Sequence, residues 1–260
     1  MPIIANASLA RMRAGRISVG FGVHHLRTAA VPALAKAAGY DWLFIDMEHG
    51  AFSVQEATQL CLAALPVGIA PLVRVCTGAL DEGTRALDNG AQGIIVPHVD
   101  TPELARRVAD AFRFPPEGHR SWGGPVASHG FLPPAHEVAQ EEINREVMIV
   151  AMIETAEAVA NVEAIAATPG IDCLFIGTSD LTADIGIPGQ IGHERVVAAY
   201  EAVIGACQKH GKFAGVGGVY DDVWAPRYLG MGARFILAGS DQQFLFTAAR
   251  ARAAYLNALE

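Results

Sequence analysis

Two carboxylates stand where the chain could hold a metal ion. Glu154 and Asp180 each follow a short apolar run, in the stretches MIET and IGTSD. If these runs are neighbouring parallel strands, both carboxylates lie at the same rim of the sheet, with room between them for water. That donor set suits a hard divalent cation such as Mg²⁺ or Mn²⁺. The alternative is that each carboxylate caps the helix that follows it.

A histidine and an arginine occupy similar positions. His49 follows the run WLFIDM and is a candidate general base, because the pKa of histidine lies near neutral pH. A hydrogen-bonded loop histidine is the alternative interpretation. Arg74 lies inside the apolar run PLVRV. A buried guanidinium is costly without a partner, so we expect it to meet a carboxylate of the ligand or of the protein, where Asp46 and Glu48 are candidates.

Further polar residues follow the apolar runs and could line the same rim. They are His24, His98, Asp100, Thr178, Ser179, Ser240 and Asp241.

The lysines exclude one type of carbonyl chemistry. The chain has three lysines. Lys36 lies in the first predicted helix, and Lys209 and Lys212 precede a predicted strand, at the end opposite to the rim. No lysine is placed to form a Schiff base at the rim. Carbonyl chemistry at this site would therefore need a metal ion to polarise the substrate.

Eight short apolar runs recur along the chain and predict eight strands. Between most of them lie Ala-rich stretches with helical periodicity. Ser53 with Glu56, and Thr101 followed by Pro102, are helix-start signals. The predicted strands are residues 18–23, 42–47, 71–75, 93–97, 147–153, 173–177, 213–217 and 234–239.

Eight strand–helix units in series predict a single (β/α)8 barrel over residues 1–260. An open doubly wound sheet is the alternative, but no GxGxxG motif follows the first strand. One segment, residues 113–146, is rich in Pro and Gly and ends in a predicted extra helix. Long irregular segments in compact domains are usually functional, and this one could be a lid, an interface or a plain insertion.

Composition narrows the functional classes. The formal net charge is −8 and 52% of residues are hydrophobic, which argues against nucleic-acid or anionic-membrane partners and allows a large core. The four cysteines form no CxxC pair, so we expect reduced thiols. No secretory signal or membrane-spanning run is visible. These features together predict a cytoplasmic protein.

Five motifs, taken together and in order, resemble those of the HpcH/HpaI aldolases, a family of class II, metal-dependent pyruvate aldolases. They are IDMEHG, LVRV, LDNGAQGIIVPHVDT, MIETAEAVANVEAI and IGTSDLTADIG. The resemblance runs over nearly the whole chain. It implies a (β/α)8 barrel that makes or breaks a carbon–carbon bond between a 2-oxo acid (pyruvate or hydroxypyruvate) and an aldehyde.

The resemblance also implies how metal and substrate are held. Glu154 and Asp180 would bind the divalent ion, which is Mg²⁺ or Mn²⁺, with Co²⁺ or Zn²⁺ as alternatives. Arg74 would contact the substrate and stabilise its enolate. The backbone near Ser179 and Asp180 would hold the substrate carboxylate.

The base implied by the resemblance is His49, acting through a metal-bound water, with Asp88 raising the basicity of a histidine. Asp88 is predicted at the end of a helix, at the amino end of the barrel, whereas His49 lies at the carboxyl end. A five-residue strand, at about 3.3 Å per residue, separates them by more than a hydrogen bond can span. The histidine would then belong to a neighbouring subunit of a homo-oligomer, a hexamer by resemblance. In a monomer, Asp88 would simply complete a helix-end turn.

Four positions depart from the family pattern. Met152 stands where the family usually has Gln, Thr178 and Ser179 replace Pro and Ala, and His98 replaces Met. We expect these changes to alter substrate preference rather than metal binding.

Two other functions remain open at this point. One is a different enolate-forming carbon–carbon lyase on a related barrel, of the phosphoenolpyruvate or citryl type. The other is a catalytically silent barrel that binds an oxo acid.

Overall fold

The computed structural model describes residues 2–124 and 126–259. Eight parallel strands pair in sequence order, and β8 returns to β1 to close a barrel. The predicted (β/α)8 barrel is confirmed, and each predicted strand matches an observed one to within one residue at either end. The strands are β1 (Ser18–Val23), β2 (Trp42–Asp46), β3 (Ala70–Arg74), β4 (Gly93–Val96), β5 (Met148–Ile153), β6 (Cys173–Gly177), β7 (Phe213–Gly217) and β8 (Phe235–Ser240).

Helices connect the strands on the outside of the barrel. In the described part of the chain, no helix is long and apolar enough to cross a membrane. The helices are α1 (Ala7–Arg13), α2 (Val31–Ala37), α3 (Val54–Ala64), α4 (Leu80–Asp88), α5 (Pro102–Phe112), α6 (His136–Glu146), α7 (Ala156–Ala160), α8 (Val162–Ala166), α9 (Thr178–Asp184), α10 (Glu194–His210), α11 (Trp224–Met231) and α12 (Asp241–Asn257).

Local signals in the sequence fix the ends of several helices. Ser53 and Glu56 form the predicted capping box at the start of α3. Thr101 caps α5, whose first residue is Pro102. Gly211 adopts a left-handed conformation after α10, with φ of 65°, which lets the chain turn directly into β7.

Alternate residues of the strands point into the barrel, where bulky aromatic side chains fill the interior. Trp42 is fully buried and stacks on Phe235 with the ring centroids 3.9 Å apart. Gly20 on β1 makes this possible, since a Cβ there would lie 2.2 Å from the Trp42 ring. Phe44 and Phe175 form the next layer above.

The amino-terminal helix α1 was not predicted. It contributes Leu9 and Met12 to the same interior cluster as Trp42, and its cap Asn6 hydrogen-bonds to the backbone oxygens of Gln92 and Glu146. The helix thereby contributes to the interior packing of the barrel. Its presence corrects the placement of Lys36, which lies in the second helix rather than the first.

In its described residues, the predicted insertion is irregular apart from one short 3-10 turn and the helix α6 at its end. Arg113 anchors its start. The guanidinium is buried, donates to the backbone oxygens of Gly170 and Val147 at 2.9 and 3.1 Å, and pairs with Asp172. The insertion is therefore tied to the barrel body at its first residue.

We expect Trp42→Ala to lower the free energy of unfolding by about 4 kcal/mol, because it opens a cavity in the interior beneath the site. Denaturant titration measures the change. Leu34→Ala removes an exposed side chain and serves as the control, with an expected change below about 0.5 kcal/mol. Equal, small effects for the two variants would show that the aromatic interior does not stabilise the barrel.

Candidate active site

The inward-facing positions change from apolar to polar at the carboxyl ends of the strands. On β2 the inward series is Trp42, Phe44 and Asp46, and Asp46 pairs in register with Arg74. On the other side of the barrel, the inward Met152 of β5 is followed two residues later by Glu154. Charged side chains therefore lie directly above the apolar interior of the barrel.

These groups surround a cavity of about 270 Å³ at the barrel mouth. Met152, Phe44, Phe175 and Leu237 form its apolar part. The polar lining comes from six different strand ends or the loops after them. The lining residues with functional groups are His24, His49, Arg74, Glu154, Thr178, Ser179, Asp180 and Tyr220.

Arg74 is held in a fixed orientation by two carboxylates. Its Nε and Nη2 donate to the two oxygens of Asp46 at 2.9 and 2.6 Å, and Nη1 lies 3.1 Å from Glu48 Oε2. Both predicted partners of Arg74 are confirmed. Burial alone would raise the pKa of Asp46, but the hydrogen bonds and charge of Arg74 outweigh it and keep that pKa below its usual value.

Asp46 also shapes the loop that carries His49. Its Oδ1 accepts the backbone N–H groups of Glu48 and His49 at 3.1 and 3.2 Å. The His49 side chain is 66% exposed, with Nε2 4.0 Å from Glu48 Oε2. The imidazole therefore lines the cavity while remaining accessible to water.

Glu154 and Asp180 line the same cavity from neighbouring strands. Glu154 does not cap the next helix, because Thr155 caps α7. Its side chain is 1% exposed, and its Oε2 accepts the backbone N–H of His98 at 3.0 Å. Asp180 is exposed in the first turn of α9. Burial, helped by the nearby charge of Asp180, raises the pKa of Glu154 to about 7.

The two carboxylates fit a small cation. Among the described residues, no hydrogen bond engages Glu154 Oε1 or the Asp180 carboxylate. Glu154 Oε1 is accessible from the cavity. Gly177 leaves space beside Oε1, since a Cβ there would lie 2.4 Å from it. Within residues 2–124 and 126–259, no group of three or more His, Cys, Asp or Glu side chains forms a metal cluster.

Asp88 is not brought to this cavity. It is the last residue of α4, which leads into the amino end of β4. Its Oδ1 accepts a 2.7 Å hydrogen bond from Arg120 Nη2, and Arg120 itself is buried in the insertion. Gly123 lies against the same carboxylate, where a Cβ would approach Oδ2 to 2.9 Å.

From the sequence, Tyr220 was not predicted to line the cavity, and His24 was named only among the further rim residues. Tyr220 lies beyond the glycine-rich end of β7, where no polar residue follows the strand directly. His24 lines the cavity. By contrast, the rim residue Asp241 has a structural position, since it is buried and accepts the backbone N–H groups of His24 and Leu26.

Comparison with known proteins identifies the family. The HpcH/HpaI aldolase/citrate lyase family model matches residues 25–248. The chain belongs to this family. The predicted family and enzyme class, a carbon–carbon lyase, are confirmed.

Curated relatives in the family are named aldolases. A 4-hydroxy-4-methyl-2-oxoglutarate aldolase of Hapsidospora irregularis is 39% identical, over 89% of this chain and 87% of the relative. A hydroxypyruvate/pyruvate aldolase of Cupriavidus necator is 37% identical, over 86% of this chain and 84% of the relative.

Solved structures show the same barrel. An HpcH/HpaI aldolase from Desulfitobacterium hafniense superimposes with a TM-score of 0.90 and 29% identity, over 95% of each chain. A citrate synthase superimposes with a TM-score of 0.85 and 27% identity, over 95% of this chain and 96% of the other. The fold of the family thus includes more than one named activity.

We expect Asp46→Asn to lower the free energy of unfolding by about 3 kcal/mol, because it removes the charge that compensates a buried guanidinium. Glu103→Gln, in an exposed ion pair with Arg106, is the control and should leave stability unchanged. Thermal and denaturant unfolding of both variants provide the measurement. An Asp46→Asn variant as stable as the wild type would mean that Arg74 does not depend on this carboxylate.

Proposed function

We propose that this protein is a divalent-metal-dependent class II aldolase. It joins the enolate of a pyruvate-type 2-oxo acid, pyruvate or hydroxypyruvate, to an aldehyde, and catalyses the reverse cleavage. The observation that carries the proposal is the placement of Glu154 and Asp180 beside Arg74 in one cavity. Membership of a family that contains named aldolases supports it.

Glu154 and Asp180 would hold the metal ion, which is Mg²⁺ or Mn²⁺, with Co²⁺ or Zn²⁺ as alternatives. Oxygen ligands of this kind suit hard divalent cations. When bound, the cation supplies Lewis-acid polarisation of the 2-oxo group. The lysines support this choice over Schiff-base chemistry: Lys36 donates to Gly68 O, Lys209 pairs with Glu163, and Lys212 donates to Ile171 O, all away from the cavity.

Arg74 stabilises the negative charge of the enolate. A guanidinium has five N–H groups. Asp46 accepts hydrogen bonds from two of them, and Glu48 forms an ion pair at Nη1. The N–H groups that Asp46 does not engage can donate to the substrate. Because both carboxylates fix the guanidinium before substrate binds, little reorganisation is needed as charge develops.

His49 moves the proton, with water as its intermediary. In the addition direction, C3 of the 2-oxo acid loses a proton to this base and the resulting enolate carbon attacks the aldehyde carbonyl. The aldehyde oxygen then takes up a proton, so the aldol product is neutral at that position. The backbone near Ser179 and Asp180 holds the substrate carboxylate during these steps.

Asp88 would act on His49 of a neighbouring subunit, within a homo-oligomer whose sites are shared. Its place at the amino end of the barrel excludes the His49 of its own chain. Exposed apolar side chains on α12, among them Leu245 and Phe246, support subunit association. A hexamer is the family expectation. The four free thiols suit a reducing compartment, and we assign the protein to the cytoplasm.

A second candidate is another enolate-forming lyase, of the phosphoenolpyruvate or citryl type. The similarity to a citrate synthase supports keeping it. A screen of 2-oxo acids against aldehydes, with several divalent metals, separates the two. Aldol adducts of pyruvate or hydroxypyruvate support the aldolase, whereas products formed only from phosphoenolpyruvate or citryl substrates would replace it.

Removing either carboxylate should abolish metal binding and enolate formation together. We expect Glu154→Gln and Asp180→Asn to lose Mn²⁺ binding by calorimetry and to lose deuterium exchange into the methyl group of pyruvate. A chelator should reproduce the loss, and added Mg²⁺ or Mn²⁺ should restore exchange in the wild type. Glu157→Gln, which changes an exposed carboxylate of α7, is the matched control. Full deuterium exchange in metal-stripped protein would refute the metal-dependent mechanism.

Mixing inactive variants tests the shared site. His49→Ala and Asp88→Asn, dissociated and reassembled together, should regain part of the aldol activity, because some sites then receive both intact residues. Asn is preferred to Ala at position 88 because it keeps an acceptor for the buried Arg120. No regain despite demonstrated subunit exchange, or a fully active monomer, would refute the shared site.

A further inference from the structure

One side of the active-site cavity has no role in the proposed reaction. In a closed barrel of eight strands in sequence order, the groups of the proposed reaction lie at or after the ends of β2, β3, β5 and β6. The remaining arc runs through β7, β8 and β1. An aldehyde must reach the enolate carbon from this open side.

Glycines provide space on this arc, and two polar side chains flank it. Gly217 and Gly218 line the cavity without side chains, and Leu237 of β8 adds an apolar surface. His24 follows β1, directly across the barrel from Glu154. Tyr220 follows β7 and lines the cavity with its side chain.

His24 is held in a fixed position. Its backbone N–H donates to Asp241 Oδ1 at 3.1 Å, and the same buried carboxylate accepts the next two backbone N–H groups. Its Nε2 lies 3.6 Å from Asp46 Oδ2. That negative charge favours a proton on Nε2, which leaves the other ring nitrogen as a hydrogen-bond acceptor.

We propose that His24 and Tyr220 form the acceptor subsite and select aldehydes that carry a neutral hydroxyl group. This inference rests on the proposed aldolase function. The imidazole and the phenol are both able to exchange hydrogen bonds with a hydroxyl next to the reacting carbonyl. They are positioning and specificity residues, whereas the bond-making groups lie at or after the ends of β2, β3, β5 and β6.

The charge of the cavity explains why the selected group is neutral. Arg74 is the only cationic side chain among the described lining residues, and Asp46 and Glu48 already compensate it. Burial lowers the pKa of His24, which favours the uncharged imidazole. A second carboxylate on the aldehyde would find no uncompensated cationic side chain among these described lining residues to offset its charge.

The test compares three acceptors with pyruvate as the donor: glycolaldehyde, its near-isostere propionaldehyde, and glyoxylate. Wild-type protein should favour glycolaldehyde in kcat/KM. His24→Phe keeps a ring of similar size but loses both nitrogens, and should lower the glycolaldehyde-to-propionaldehyde ratio roughly tenfold, the factor that corresponds to about 1.4 kcal/mol. His24→Gln keeps a donor and an acceptor and should retain part of the selectivity. Tyr220→Phe should shift the ratio in the same direction.

His25→Asn is the matched control. His25 is adjacent in sequence but exposed, and its Nε2 lies 3.1 Å from Gln242 Oε1, outside the cavity. This variant should keep the wild-type ratio. An unchanged ratio in His24→Phe and Tyr220→Phe, or a wild-type preference for glyoxylate, would overturn the inference.

Deuterium exchange into pyruvate requires no aldehyde, and it separates the two possible failures. Wild-type protein without metal-dependent exchange would refute the proposed function itself. Normal wild-type exchange combined with unshifted acceptor ratios in both variants would leave the aldolase intact and refute only the acceptor subsite.

Discussion

The buried pairing of Arg74 with Asp46 is the interaction on which the rest of the site depends. A guanidinium enclosed at the mouth of an apolar barrel loses most of its hydration, and only a well-oriented carboxylate offsets that cost. Asp46 does this with both oxygens, and it also accepts the backbone N–H of His49. Asp46 therefore fixes the orientation of the Arg74 guanidinium and the start of the loop that carries the proposed base. Glu48 adds a second carboxylate to the same cation.

The apolar interior gives this pair a rigid base. Phe44 lies beneath Arg74, with the guanidinium carbon 5.0 Å from the ring centroid, and Trp42 and Phe235 stack in the layer below. Strand residues alternate between the interior and the helical layer, so the inward positions just above the aromatic layers are the first that reach the cavity. Asp46, Arg74 and Glu154 occupy these positions. The carboxyl ends of the strands thus place charged groups close together without breaking the core.

The sequence predicted the features that arise from local patterns. Runs rich in Val, Ile and Leu predicted the strands, and Ser53 and Thr101 predicted helix starts. The positions after strand ends predicted that Glu154 and Asp180 lie at one rim. Features made by distant segments were not predictable in this way. Helix α1 has only seven residues, and three arginines lie in it or shortly after it. Its role is visible only from its packing in the same interior cluster as Trp42. The position of His24 depends on Asp241, 217 residues away. The burial of Arg120 against Asp88 depends on the path of the insertion.

In the proposed mechanism, Glu154 and Asp180 hold a cation that faces Arg74 across one cavity. Anomalous X-ray diffraction from crystals grown with Mn²⁺ and oxalate, a planar dianion that mimics the pyruvate enolate, tests it most directly. We expect one strong Mn²⁺ peak within coordination distance of both carboxylates, with oxalate between the ion and the Arg74 guanidinium. A Mn²⁺ ion bound at other residues, or oxalate bound away from Arg74, would contradict it.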